Sequence, residues 1–75
     1  MSMAWETTTE DVLNVLEQNG VTVYVDMEEG KIEEIHSALD MDAIEKAALY
    51  GDDMDDQIKY AYCEIQTQLV ELNIL

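Results

Sequence analysis

The sequence predicts a mostly α-helical mini-bundle of about four helices with one short extended segment. Three observations carry that expectation. Apolar residues recur at helical spacing through most of the chain. Thr and Asp stand where helices need a first cap. There is no Pro, and three Gly, at Gly20, Gly30 and Gly51, divide the chain into helix-length pieces.

The elements follow in order. Thr7-Thr8-Thr9-Glu10 reads as a capping box, and Val12, Leu13, Val15 and Leu16 recur behind it. Asn19-Gly20 is a stop, so the first helix is expected over about 8–18. Val21-Thr22-Val23-Tyr24-Val25 alternates and is rich in β-branched residues, which makes it the one strand signal. Ile32, Ile35 and Leu39 lie at i, i+3, i+7, so an extended linker leads into a second helix over about 27–39, capped by Asp26. The alternative is a hairpin turning through Asp26–Gly30 into Lys31–Ile35, which would make the domain α+β. Asp42-Ala43-Ile44-Glu45 is a further cap signature, opening a short helix that Gly51 ends. Asp52-Asp53-Met54-Asp55-Asp56 places acids at the positive end of the last helix, about 53–72.

That last helix carries two apolar rows. One is Met54, Ile58, Ala61, Tyr62, Ile65, Leu69 and Leu72; the other is Tyr60, Cys63, Thr67, Val70 and Ile74. Two rows mean either a central helix covered on both sides or one side left for a partner, including a second copy of the chain. Asp53, Gln57, Glu64, Gln68 and Glu71 form a polar line that is expected to face water or a basic partner.

Charge is the chain's most unusual property. Eighteen Asp and Glu oppose three Lys and no Arg, a net −15 on 75 residues. A sphere of this length is about 30 Å across, so its charge spacing of roughly 2 Å approaches the ~1.7 Å of duplex DNA. At 48% apolar residues the chain is too hydrophobic for a disordered acidic tail, and one acidic domain, residues 1–75, is expected. Such a surface repels nucleic acid and anionic membranes, and no apolar run reaches the ~20 residues of a membrane span. A single cysteine and no basic leader-like start at Met1–Trp5 suit a reducing, cytoplasmic setting.

No motif names a reaction, and no enzyme activity, cofactor or metal is expected. Asp53, Asp55, Gln57 and Glu64 match positions 1, 3, 5 and 12 of a calcium loop, but Ile58 replaces the required Gly. Cys63 lies on the second apolar row and is expected to be a small core or interface residue. His36, beside Glu33 and Glu34, is a candidate pH-sensitive contact. Trp5 is placed to staple onto the first helix. The make-up resembles acyl carrier proteins in general terms. Yet the nearest serine, Ser37 in Ile35-His36-Ser37-Ala38-Leu39, lacks the preceding Asp, and Ala38 stands in place of Leu.

In size, charge balance and carboxylates spread over helices, the chain resembles the small acidic phage and mobile-element inhibitors of bacterial defence, the anti-restriction and anti-CRISPR proteins that mimic DNA. The resemblance covers the whole chain as a property and has no signature residues. It implies a basic nucleic-acid-binding protein or complex as partner. The expected contacts are Asp52, Asp53, Asp55 and Asp56 at the head of the last helix and Glu28, Glu29, Glu33 and Glu34 on the second, with Asp40, Asp42 and Glu45 as a bridge. The alternative is a small assembly protein, possible as a homodimer, that buries Tyr60, Cys63, Val70 and Ile74 against another chain.

Overall fold

The structure, a computed structural model, describes residues 5–23 and 27–75. Among them are four helices: α1 (Thr9–Gln18), α2 (Lys31–Ala38), α3 (Met41–Ala48) and α4 (Met54–Glu71). The mostly helical small bundle is therefore observed. α3 packs along α4, while α1 packs against both α2 and α4. The body is longer than the sphere assumed from chain length: it extends 39 × 21 × 19 Å, with a radius of gyration of 12.3 Å.

The core is built from one stripe of each helix. Val12, Val15 and Leu16 of α1 meet Ile35 of α2, its C-cap Leu39, Ile44 and Ala48 of α3, and Ala61, Ile65 and Leu69 of α4. Trp5, Leu13, Val21, Met27 and Ile74 close its margins. Each fully buried Leu or Ile contributes about 1.5–3 kcal/mol.

The helix ends explain the boundaries. The capping box of α1 is shifted by one residue from the expected register. Thr8 is the cap, its hydroxyl accepts from the Asp11 amide at 3.4 Å, and Asp11 Oδ2 accepts from the Thr8 amide at 2.9 Å. At the other end Gly20 takes φ +86°, where the Val21 amide reaches the Leu16 carbonyl at 3.0 Å and the Gly20 amide reaches Glu17 at 3.1 Å. That paired Schellman closure needs a left-handed residue, which Gly adopts without strain. α4 ends the same way with Asn73 at φ 61°, and its closing residue, Ile74, packs back on the core.

Three expectations are corrected. The extended segment over 21–25 is not found among the described residues. Val23 has helical backbone, and its carbonyl accepts from the Met27 amide at 3.1 Å, a bond of helical spacing. Tyr24, Val25 and the expected cap Asp26 lie outside the described residues. The hairpin alternative also falls, because Lys31–Ala38 is helix; that helix starts after Gly30 and not at 27. Finally, α3 is capped by Asp40, whose Oδ1 accepts from the Ala43 amide at 3.2 Å, so Asp42 sits in the first turn and is not the cap.

Candidate partner-binding surface

α4 sets the geometry of the acidic surface. It has 18 residues, hence a length of about 27 Å. At its start Asp53 is the N-cap, and its Oδ1 accepts from the Asp56 amide at 2.9 Å. Asp52 and Asp55 are exposed beside it and Asp56 is half-buried. At the far end Glu28 and Lys31 line a shallow depression with Leu72, Asn73 and Ile74. The two acidic groups expected from sequence therefore lie near opposite ends of α4. They do not merge into one cluster.

α3 runs between those ends. Asp40, at its start, meets Gln68 near the C-terminus of α4, while Gly51, just after it, touches the first turn. Asp40 and Asp42 are exposed and Glu45 is half-buried along the way. The α3 residues therefore occupy the interval between the clusters. Glu33 and Glu34 are exposed on α2.

The carboxylates are almost uncompensated. Among the described residues one ion pair exists, Lys31 Nζ to Glu34 at 3.9 Å, with both side chains well exposed. An exposed pair of this kind contributes about 0–1 kcal/mol. Lys46 and Lys59 make no ion pair with the described carboxylates.

Part of the expected polar line of α4 is covered instead of open. Gln68 is only 8% exposed. Its Oε1 accepts from the Asp40 amide at 2.8 Å, and its Nε2 donates to the Asp40 carbonyl at 3.1 Å and to Glu64 Oε2 at 3.0 Å. Asp40, Glu64 and Glu71 line a groove of about 240 Å³ around it.

The second apolar row is mostly open to solvent. Tyr60 and Val70 are 45% and 51% exposed, and Cys63 and Thr67 are exposed too, whereas Ile74 packs on the core. α4 is thus covered on one side only, and Ile74 does not belong to the outer face.

The remaining candidates have structural partners. Asp11 Oδ1 accepts from the Tyr62 hydroxyl at 2.8 Å, which in turn accepts from Asn14 Nδ2 at 3.2 Å. Burial raises the Tyr62 pKa above 10.0, the Asn14 bond lowers it, and the Asp11 bond and charge raise it again. His36 Nε2 donates to the Thr7 carbonyl at 2.8 Å and ties α2 to the segment before α1. Trp5 packs on the core and donates to Thr7 Oγ1 at 2.8 Å. Ser37 lies inside α2 and donates to the Glu33 carbonyl at 3.0 Å, so it is not at a helix start as a carrier serine is.

Asp53, Asp55, Gln57 and Glu64 fall on a cap and an unbroken helix, which cannot wrap an ion as a calcium loop does. Among the described residues no group of three or more His, Cys, Asp or Glu is arranged to hold a metal ion. No described helix is long and apolar enough to cross a membrane.

No protein-family model, curated protein or solved structure matches the chain.

Proposed function

We propose that the chain is an acidic DNA mimic that blocks a basic nucleic-acid-binding surface of a bacterial defence complex, of the restriction or CRISPR kind. One observation carries the reading: a net −15 is set along a 39 Å body with a single weak ion pair among the described residues. A DNA duplex of that length carries roughly 23 phosphates and one strand roughly 11, so the protein's charge falls within that range. Carboxylates of Asp52, Asp55, Glu28, Glu29, Glu33, Glu34 and Asp42 would meet Arg and Lys that otherwise hold phosphates. Release of bound counterions would add to affinity and make it fall with salt.

The test is competition. Labelled DNA is bound to purified restriction and RNA-guided nuclease complexes, and the chain is titrated in. Displacement from at least one complex, weaker at higher salt, supports the reading. The double variant Asp52→Lys with Asp55→Lys should weaken displacement and flatten its salt dependence. These two positions suit the test better than Asp53 and Asp56, whose hydrogen bond caps α4. Displacement from none of the complexes, or displacement indifferent to both salt and the variant, overturns it.

The exposed outer face of α4 favours a second reading, a small assembly protein that buries Tyr60, Cys63 and Val70 against another chain. Val70→Asp abolishing partner binding while the lysine pair leaves it intact would select that reading.

A further inference from the structure

Six large apolar side chains are exposed among the described residues, and three of them, Leu49, Tyr50 and Met54, fall within six consecutive positions. They are 54%, 80% and 50% exposed. Single exposed apolar residues need no explanation, but a local concentration marks an interaction surface.

The fold forces these residues together. α3 ends at Ala48, and the Tyr50 and Gly51 amides close back onto Ala47 and Ala48 at 3.2 and 3.0 Å. Gly51 then presses against the first turn of α4: a Cβ there would stand 2.7 Å from the Asp56 carbonyl carbon and closer still to the Gln57 amide. Leu49, Tyr50, Asp52, Asp53, Met54, Asp55 and Asp56 thus lie in the turn that joins α3 to α4 and in the first turn of α4, at one end of that helix. Four carboxylates lie within five residues there, and none forms an ion pair with another described residue.

Charge complementarity selects the occupant. A second copy would bring four carboxylates of its own and a further −15, and nucleic acid would be repelled likewise. A basic protein surface would be attracted. Its Arg guanidinium could bond a carboxylate edge-on while lying against the Tyr50 ring, a combination that suits Arg's planar fork.

We propose that the Leu49–Asp56 tip is a two-part docking site, in which Leu49, Tyr50 and Met54 enter an apolar socket on a basic protein while the flanking aspartates pair with its rim of Arg and Lys. This deepens the mimic reading and depends on it. It adds an affinity component that salt does not screen.

The test uses two synthetic peptides with the same number of Arg. One carries Leu and Trp on the face beside the Arg; the other has Ser and Gln at those places. Binding to the full chain is measured by fluorescence anisotropy and by amide chemical-shift mapping. The apolar-basic peptide should bind roughly tenfold tighter, the scale of one interface anchor, with shifts centred on residues 49–56. Tyr50→Ser, and separately Leu49→Ser, should reduce its affinity to that of the plain Arg peptide while leaving the latter's affinity and the salt slope unchanged. Circular dichroism confirms that each variant folds. Equal binding of the two peptides, shifts centred on Tyr60–Val70 or on α2, indifference to both serine variants, or self-association through the tip overturns this inference and leaves the mimic reading in place. Failure of both peptides to bind removes the mimic reading as well.

Discussion

The side-chain amide of Gln68 grips the backbone of Asp40, accepting from its N–H at 2.8 Å and donating to its carbonyl at 3.1 Å. The two residues are 28 apart in sequence, and the bonds fasten the α2–α3 junction to α4. They satisfy the Asp40 N–H, which no helix bond can reach, and add a second bond to its carbonyl, which already accepts from the Ile44 amide at 3.3 Å. The same Asp40 uses its carboxylate to cap α3, so one residue is held by its main chain and holds by its side chain.

Gln68→Ala should therefore destabilise the fold by about 1–3 kcal/mol, the range for leaving buried polar groups without partners. Urea unfolding followed by circular dichroism measures it. A change indistinguishable from that of Gln66→Ala, on the exposed face, would show that the grip contributes nothing.

Tyr62→Phe keeps the ring and removes the hydroxyl that joins Asp11 and Asn14. A loss of about 1–2 kcal/mol is expected, because the bond ends on a carboxylate. The pH dependence has a fixed direction. Tyr62 holds its proton more tightly in the folded state, so its contribution is complete below pH 10.0 and is lost as pH rises through the raised value. The Phe variant should therefore lose less stability than the wild type between pH 9 and 11.5. Parallel alkaline limbs would contradict this.

Gly51→Ala should cost about 1–3 kcal/mol, since the added methyl meets backbone that cannot swing aside. Gly20→Ala also destabilises, by about 1–2 kcal/mol, but through its left-handed φ, with open space around the new methyl. Gly20→Asn separates the two causes: it should recover part of the loss at 20, whereas Gly51→Asn should be no better than Gly51→Ala. Thermal unfolding of the four variants decides.

Salt should raise the stability of the free protein. With one weak ion pair among the described residues to break and net −15 to screen, the unfolding midpoint should climb steadily from 20 to 500 mM NaCl. A falling midpoint would mean that attractive pairs dominate, contrary to the geometry.

The helices were legible where local signals agree. α1 has a cap, a clean apolar period and an Asn-Gly stop, and its observed span departs from expectation by one residue. α4 was equally plain, from the acids at its head through its apolar row, with Asp53 emerging as the cap only in the structure. The strand signal at 21–25 is not matched among the described residues, because β-branched propensity reflects a half-buried sheet surface and no partner strand exists among them to supply one. Gln68 was misplaced because helical rotation gives an angle, not a neighbour: its partner arrives from 28 residues away. The sequence pointed to Asp42 as the cap of α3, and the backbone gives that place to Asp40. For the candidate surface, the sequence identified the acids but not their arrangement. It could not reveal that Gly51 presses against the first turn of α4, because that contact belongs to the turn between two packed helices.

α4 is unbroken from Asp53 to Leu72, and it acts as a ruler between the two charged extremities. Inserting one residue in its middle would move them apart by only about 1.5 Å but rotate one relative to the other by roughly 100°. The relative phase of the two ends is therefore set by the helix more sharply than the distance between them.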